Sequence, residues 1–254
     1  MFARSPWRLG LAVVLVVALG TACGDGDGDG GATNLTVLAA ASLTESFTEL
    51  GKSFEAEHPA ARITFNFDSS SALATQANND VPADLFASAD QSNMKKVTDA
   101  GAATDPRVIA HNKLAIIVAK GNPKKITALT DLAKPSVSFV LCAPEVPCGK
   151  YGNEALSKAG VKSKPKSLET NVKGVVTKIA SGEADAGIGY VTDAKAASAT
   201  AEGIEIADAH NVVAEYPMAV LEQSANSNLA YAWLDFILGA EAQAVLAKYG
   251  FAAA

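Results

Sequence analysis

Short runs of apolar residues alternate along the chain with stretches whose apolar residues recur every three to four positions. The runs are typical of buried strands, and the periodic stretches are typical of amphipathic helices. Predicted strands cover residues 35–41, 62–67, 111–122, 137–141, 184–190 and 216–221, with a shorter one inside 81–90. Helices are predicted after most of these strands, and the last covers residues 229–246. The alternation predicts an α/β fold with mostly parallel sheets flanked by helices.

Hydroxyl residues stand where two of these strands end. Ser42 follows the first apolar run, and its spacing to Glu45 is that of a capping box, so we predict a strand-to-helix turn there. A cluster of three serines, residues 69–71, follows the second strand. A helix start offers unpaired N–H groups and a partial positive charge, which together suit an anion. For either serine site taken alone, a simple capping or solvated turn is the alternative.

The first 33 residues predict export. Residues 1–22 carry Arg4 and Arg8, then an apolar run too short to cross a bilayer, then small residues, so we predict a signal peptide. Cys23 follows these small residues as in a lipoprotein box, although Gly20 stands where a large apolar residue is usual. We expect lipidation of Cys23, a flexible tether over residues 23–33, and anchoring to the outer face of the cytoplasmic membrane. Cleavage and secretion without a lipid is the alternative.

The charge balance limits the partners of the mature chain. The whole sequence has a net charge of −6, and removal of residues 1–22 takes two arginines and no acid, which leaves 19 basic and 27 acidic residues and a net charge of −8. Nucleic acid and acidic membrane surfaces are therefore poor partners for such a chain. Only Arg62 and Arg107 remain as arginines, so a bound anion must be held by backbone amides and hydroxyl groups.

Catalysis and metal binding find little support. The chain has three histidines, His58, His111 and His210, none of which lies in a catalytic motif, and it has no G-x-S-x-G sequence. Cys142 and Cys148 lack a second ligand pair at metal-binding spacing. We therefore expect neither an enzyme nor a metal site. A serine hydrolase and a purely structural lipoprotein remain as the weaker alternatives.

Four separated motifs carry a resemblance to a known family. They are AAASLTESF, SSSALATQ followed by PADLFASADQ, VPCGKYGNEAL, and NVKGVVTKIASGEADAGIGYVTDA. In this order they resemble the periplasmic molybdate-binding proteins of ABC importers, over nearly all of residues 34–254. The resemblance implies a two-lobed type II periplasmic binding protein with its ligand cleft between the lobes. With chain crossings near residues 111–113 and 215–217, lobe 1 would comprise residues 34–112 plus 216–254, and lobe 2 residues 113–215.

The resemblance also implies a set of ligand-binding residues. Hydroxyl groups would come from Ser42, Ser70 and Tyr190, and backbone N–H groups from Ser42, Ser70, Cys148 and Val172. All are hydrogen-bond donors, as a dianion without a proton requires. Each helix start contributes about half a positive charge, so four of them approach the charge of the ligand without any cationic side chain.

The implied function is capture of molybdate, and of tungstate, for delivery to the permease and ATPase subunits of an ABC importer by a monomer without a cofactor. Sulfate, thiosulfate and chromate are the alternative ligands. Phosphate fits less well because its remaining proton needs an acceptor, a role open only to Asp68. This acid departs from the family pattern, and we expect it to point away from the cleft or to weaken binding.

Cys142 and Cys148 are six positions apart in an exported chain, and the lipoprotein box accounts for Cys23. We therefore expect a Cys142–Cys148 disulfide, with two buried free thiols as the alternative.

Overall fold

A computed structural model describes residues 32–254 of the chain. The predicted signal peptide, Cys23 and most of the predicted tether lie outside these residues. The strands are Thr33–Ala40 (β1), Ala61–Asp68 (β2), Leu85–Ala87 (β3), Arg107–Ala119 (β4), Phe139–Cys142 (β5), Leu168–Glu169 (β6), Ala186–Tyr190 (β7), Ala201–Glu205 (β8) and Val213–Val220 (β9). The α-helices are Thr44–Glu57 (α1), Ser70–Asn78 (α2), Gln91–Asp99 (α3), Pro147–Lys158 (α4), Val172–Ala180 (α5), Val191–Ala196 (α6), Ser227–Leu238 (α7) and Ala240–Tyr249 (α8). Two short 3-10 helices cover Ala41–Leu43 and Leu129–Ala133.

The strands form a mixed sheet in the order β2-β1-β3-β9-β4-β7-β5-β6, and β8 also pairs with β4. β1 is parallel to β2 and β3, and β5 is parallel to β6 and β7. In the part of the chain that the structure describes, each antiparallel ladder involves β4 or β9. The predicted α/β class is confirmed, and the predicted parallel pairing is confined to the two groups of strands on either side of β9 and β4.

Strand β4 connects the two groups of strands, together with β9. Its residues from Arg107 to Lys113 pair with β9, whereas those from Leu114 onward pair with β7 and β8. The change of partner falls where the first crossing between lobes is predicted. The lobe boundaries themselves stay a prediction.

The apolar face of α1 packs as its periodicity predicts. Phe47, Leu50 and Phe54 are buried, and the rings of Phe47 and Phe54 meet the Trp233 ring of α7 edge to face, with centroids 5.7 and 5.3 Å apart. Burying each such side chain is worth about 1.5 to 3 kcal/mol. This packing fixes α1 against α7 and so helps to fix the turn that carries Ser42.

Two predictions about helix ends are wrong. Ser42 does not cap α1, because the 3-10 helix Ala41–Leu43 intervenes and α1 begins at Thr44 without a side-chain cap. The predicted closing helix, residues 229–246, is divided into α7 and α8 at Gly239, whose backbone is extended.

No single helix within residues 32–254 is long and apolar enough to cross a bilayer; α7 and α8 meet the criteria only when taken together across a 64° bend.

Candidate functional site

The five residues predicted to bind the ligand line one cavity. Ser42, Ser70, Cys148, Val172 and Tyr190 are all buried, and all contribute to its wall. The volume of the cavity is about 10 Å³. Sites for organic ligands run to roughly 300 to 1,000 Å³. The space therefore suits a compact ion rather than an organic molecule.

Three α-helices begin at the cavity wall, and the 3-10 turn before α1 forms a fourth side. α2 begins at Ser70, α5 begins at Val172, and α4 begins at Pro147, with Cys148 as its second residue. The first N–H groups of a helix have no partner inside the helix, and they carry the positive end of its dipole. The cavity is therefore surrounded by donors that favour negative charge.

The hydroxyl group of Ser42 is held from behind. Its Oγ lies 2.8 Å from the hydroxyl of Tyr216 on β9, and both side chains are buried. The Tyr216 hydroxyl in turn accepts a hydrogen bond from Nδ2 of Asn112 on β4, at 3.3 Å. Sequence reasoning missed Tyr216 and Asn112, and no local motif could have identified them, because Tyr216 is 174 positions from Ser42.

The hydroxyl group of Ser70 is held in a similar way. Its Oγ accepts a hydrogen bond of 2.8 Å from the backbone N–H of Ala89, which follows β3 and also lines the cavity. Ser69, the residue before it, caps α2 by accepting from the N–H of Ala72. One serine of the cluster thus starts the helix, and the next is left with a hydroxyl proton to donate.

The Tyr190 hydroxyl group has no hydrogen-bond partner among residues 32–254, although it is buried and lies at the cavity. A buried hydroxyl without a partner loses about 1 to 3 kcal/mol, so such groups are rare unless a ligand or water satisfies them. Burial raises the pKa of Tyr190 well above its ordinary value, which keeps the phenol protonated. The Tyr190 hydroxyl is therefore available to donate a hydrogen bond to an acceptor in the cavity.

Cys142 and Cys148 form a disulfide with their Cα atoms 5.7 Å apart, which confirms the predicted pairing. The bridge joins the end of β5 to the first turn of α4. Gly149 allows this close approach, because a Cβ there would collide with the carbonyl oxygens of Cys142 and Ala143. The loop that presents the Cys148 N–H is therefore fixed covalently on one side and sterically on the other.

Asp68 contributes to the cavity wall, but its Oδ1 atom already accepts two hydrogen bonds. The donors are the backbone N–H of Ser69, at 2.7 Å, and Nδ2 of Asn171, at 3.0 Å. Asn171 also caps α5, because its Oδ1 accepts from the N–H groups of Lys173 and Gly174. Asp68 therefore links the start of α2 to the start of α5, a role that sequence reasoning did not predict.

Among the described residues that line the cavity there is no lysine or arginine. The Arg62 guanidinium donates to the backbone carbonyls of Pro59 and Ala61, and Arg107 pairs with Asp235 at 2.8 Å. The positive field at the cavity therefore comes from the backbone, as the residue count predicts.

Lys173, the residue after Val172, is engaged by two carboxylates. Its Nζ lies 2.8 Å from Oε2 of Glu45 on α1 and 3.3 Å from Oδ1 of Asp193 on α6. Asp193 is fully buried, and its Oδ2 accepts from the backbone N–H of Tyr190 at 3.2 Å. This ion-pair group supports two segments of the cavity wall from outside.

No cluster of three histidine, cysteine, aspartate or glutamate side chains suited to a metal ion occurs in residues 32–254.

Donor groups converge on an ion-sized cavity, and two groups of parallel strands are joined through β9 and β4; together these features define a binding protein of the type II periplasmic fold. The chain belongs to the family of bacterial extracellular solute-binding proteins, whose family model matches residues 35–252. This membership confirms the prediction of a solute-binding protein and not an enzyme.

Comparison with known proteins identifies relatives over almost the whole chain. The molybdate-binding protein ModA of Mycobacterium tuberculosis is 37% identical over 96% of this chain and 96% of its own. The periplasmic molybdate-binding protein of Azotobacter vinelandii has a similar structure, with a TM-score of 0.77, 20% identity, and coverage of 87% of this chain and 99% of that one. The sulfate-binding protein SubI of M. tuberculosis superposes with a TM-score of 0.79, 19% identity and 86% coverage of both chains. At these identities the two structural comparisons show the shared fold alone.

Proposed function

We propose that this protein captures molybdate outside the cytoplasm and delivers it to the permease and ATPase subunits of an ABC importer. The observation that carries the proposal is the unpartnered Tyr190 hydroxyl group in an ion-sized cavity surrounded by helix starts. The 37% identity to a molybdate-binding protein over nearly the full chain supports molybdate as the ion. Tungstate, which matches molybdate closely in charge and size, should bind almost as well.

In this proposal Ser42, Ser70 and Tyr190 donate hydroxyl hydrogen bonds to the oxyanion. The backbone N–H groups of Ser42, Ser70, Cys148 and Val172 complete the shell. All these groups donate, so an oxyanion without a proton satisfies each of them and itself needs no acceptor. Because the donors lie on packed helices, the cavity cannot contract around a smaller ion, and its size selects among oxyanions.

We further propose that residues 34–112 with 216–254 form one lobe and residues 113–215 the other. The exchange of partners along β4 supports this division. Several polar contacts would then join the lobes, among them Asp68 with Asn171, Glu45 with Lys173, and Ser92 with Lys150 at 3.0 Å. The arrangement corresponds to a closed cleft.

Sulfate is the second candidate ligand. The small cavity favours it, since sulfate has the same shape and charge as molybdate but a smaller radius, and a protein of the same fold is described as sulfate-binding. Thiosulfate and chromate belong to the same chemical class.

Calorimetric titration of the apo protein with molybdate, tungstate, sulfate and phosphate tests the ligand. We expect similar, tight binding of molybdate and tungstate and much weaker binding of sulfate and phosphate. A preference for sulfate or phosphate would overturn the assignment of the ligand, and no binding of any of the four would overturn the proposed site.

We propose in addition that Cys23 carries a lipid and anchors a monomer to the outer face of the membrane. The lipoprotein-like sequence before Cys23 supports this. Replacing Cys23 with alanine should move the protein from the membrane fraction to the soluble fraction without changing the affinity for molybdate. A variant that stays in the membrane fraction would contradict anchoring through Cys23.

A further inference from the structure

A buried chain of polar side chains runs from the cavity into β4 and β9. Oγ of Ser42 contacts the Tyr216 hydroxyl at 2.8 Å, and Nδ2 of Asn112 lies 3.3 Å from that hydroxyl and 2.9 Å from Oγ1 of Thr192. All four side chains are less than 5% exposed, and Tyr216 is completely buried. Of the four, Ser42 alone lines the cavity, so the other three act on a ligand only through it.

The chemistry of Asn112, Tyr216 and Ser42 determines which group donates the proton in each hydrogen bond. An amide nitrogen can only donate, so the Tyr216 oxygen accepts from Asn112. Burial raises the pKa of Tyr216 far above neutral pH, so the phenol keeps its proton, and that proton is directed to Ser42. The Ser42 oxygen then accepts, and its own proton is left to face the cavity.

We infer that Asn112 and Tyr216 are positioning residues that hold the Ser42 hydroxyl as a hydrogen-bond donor towards the bound anion. The inference rests on the proposed function, and it adds the origin of the selectivity for an oxyanion that carries no proton. A serine hydroxyl free to rotate can donate or accept, and so it does not discriminate between a bare oxygen and a protonated one. Fixing its acceptor side removes that ambiguity before the ligand arrives, which lowers the cost of ordering on binding.

Ser70 supports the same principle by another route. Its oxygen accepts from the backbone N–H of Ala89, so its proton is also left to donate. An oxyanion that keeps a proton, such as hydrogen phosphate or hydrogen arsenate, therefore meets a hydroxyl proton at both serines. At the two serines the site therefore favours a fully deprotonated tetrahedral oxyanion, and Asp68 is the one carboxylate among the described residues of the cavity wall.

A double-mutant cycle between Ser42 and Tyr216 tests the inference, with molybdate affinity measured by calorimetry. Ser42→Ala should weaken binding by about 10- to 100-fold, the worth of a hydrogen bond to a charged group. Tyr216→Phe should weaken it by about tenfold, because the Ser42 hydroxyl is no longer held as a donor. Once Ser42 is alanine, adding Tyr216→Phe should change the affinity by less than about twofold. Tyr231→Phe, which removes a hydroxyl from a half-exposed ring, is the control and should bind as the wild type does.

Selectivity gives a second readout that a structural role would not move. In Tyr216→Phe the ratio of molybdate to hydrogen arsenate affinity should fall about tenfold, since the freed Ser42 hydroxyl can now accept a proton. Asn112→Ala should lower the ratio in the same direction, and it replaces Tyr216→Phe should that variant fail to fold. Thermal unfolding of each apo variant measures the effect on stability separately.

Three results would overturn the inference. If the two substitutions weaken binding by independent factors, Tyr216 acts through packing. If Tyr216→Phe strengthens binding, the proton order is reversed, with the oxygen of the Asn112 amide facing Tyr216 and a Ser42 lone pair facing the ligand. If the selectivity ratio is unchanged in both variants, the positioning role is absent. A wild-type protein that binds no oxyanion would instead refute the proposed function.

Discussion

Tyr190 and Tyr216 are neighbours with different surroundings. Their rings pack edge to face with centroids 6.1 Å apart, and both are buried. The Tyr216 hydroxyl contacts Ser42 and Asn112, whereas that of Tyr190 has no partner in the described part of the chain. The Tyr216 hydroxyl therefore belongs to the protein's internal hydrogen-bond network, and the Tyr190 hydroxyl is available to a ligand.

Replacing Tyr190 with phenylalanine should weaken molybdate binding by about 1.5 to 3 kcal/mol, or roughly 10- to 150-fold, because one hydrogen bond to a charged ligand is lost. The apo protein should not lose stability, since the hydroxyl has no partner to leave unsatisfied. Calorimetric titration and thermal unfolding measure the two effects. An unchanged dissociation constant would place the phenol in the packing and not in the site.

Asp193 should make stability depend on pH. Burial raises its pKa from 3.8 to about 6, against the opposing charge of Lys173. The folded protein therefore binds a proton between pH 3.8 and about 6 that the unfolded chain has released. As pH rises through this window the folded state loses up to about 3 kcal/mol from this group, and no further loss occurs above it.

Urea unfolding of the wild type and of Asp193→Asn, compared from pH 4 to pH 7, measures this contribution. The stability of the wild type relative to the variant should fall up to about pH 6 and then stay level, because asparagine does not titrate. A difference that does not change with pH would show that Asp193 has an ordinary pKa.

For individual residues, the sequence predicted five that line the cavity but not the residues whose hydrogen bonds position them. Ser42, Ser70, Cys148, Val172 and Tyr190 were accessible through motifs that can be recognised locally. Tyr216 and Asn112 act through contacts between distant segments, and nothing in their own neighbourhoods distinguishes them from ordinary strand residues. The same holds for Asn171, whose capping role is visible locally but whose bond to Asp68 is not.

Among the elements, α4 is the one whose start is fixed most firmly. The Cys142–Cys148 disulfide ties its first turn to β5, and closing so short a loop stabilises the fold by only about 2 kcal/mol. Its larger effect should be on the position of the Cys148 N–H. Reduction of the bridge should therefore weaken molybdate affinity more, in free energy, than it lowers the stability of the apo protein.

Titration and unfolding of the oxidised and reduced protein check this expectation. Cys142→Ala combined with Cys148→Ala provides a matched form that cannot reoxidise. Equal affinity in the reduced and oxidised proteins would show that Gly149 and the packing of α4 are sufficient to place the N–H group.

The elements also show where local patterns mislead. The sequence around Ser42 has the spacing of a capping box, yet Glu45 pairs with Lys173 and Ser42 with Tyr216. Tertiary partners have displaced the local ones. Helix α4 begins at Pro147, where a proline at the first helical position needs no N–H partner.

For the molecule as a whole, the net charge of −6 on the sequence opposes a dianion, while the backbone dipoles at the cavity attract it. Salt screens the distant, exposed charges more than the enclosed dipoles. Molybdate affinity should therefore rise slightly as the ionic strength increases from about 10 mM to about 150 mM. Calorimetry in sodium chloride measures it. A tenfold fall would indicate that an exposed lysine or arginine holds the ion.

The class of fold was accessible from the alternation of strands and helices, but the order of the strands was not. β9 lies between β3 and β4, although more than a hundred residues separate it from β3 and about ninety separate it from β4. Pairing of this kind depends on the shape of the assembled core and not on any local pattern. The two short strands β6 and β8 were missed for a related reason, since each is defined by its neighbour in the sheet.

The late position of β9 in the chain has a consequence for biogenesis. The group β2-β1-β3 has no neighbour on the β3 side until residues 213–220 have been synthesised, so we expect most of the polypeptide to stay unfolded while it is threaded across the membrane. A version truncated after Val212 should remain sensitive to protease, whereas the full-length protein should resist it. Resistance of the truncated version would show that the first strands mature alone. Sensitivity of the truncated version would instead show that the topology delays folding until β9, the strand that completes the sheet, has emerged.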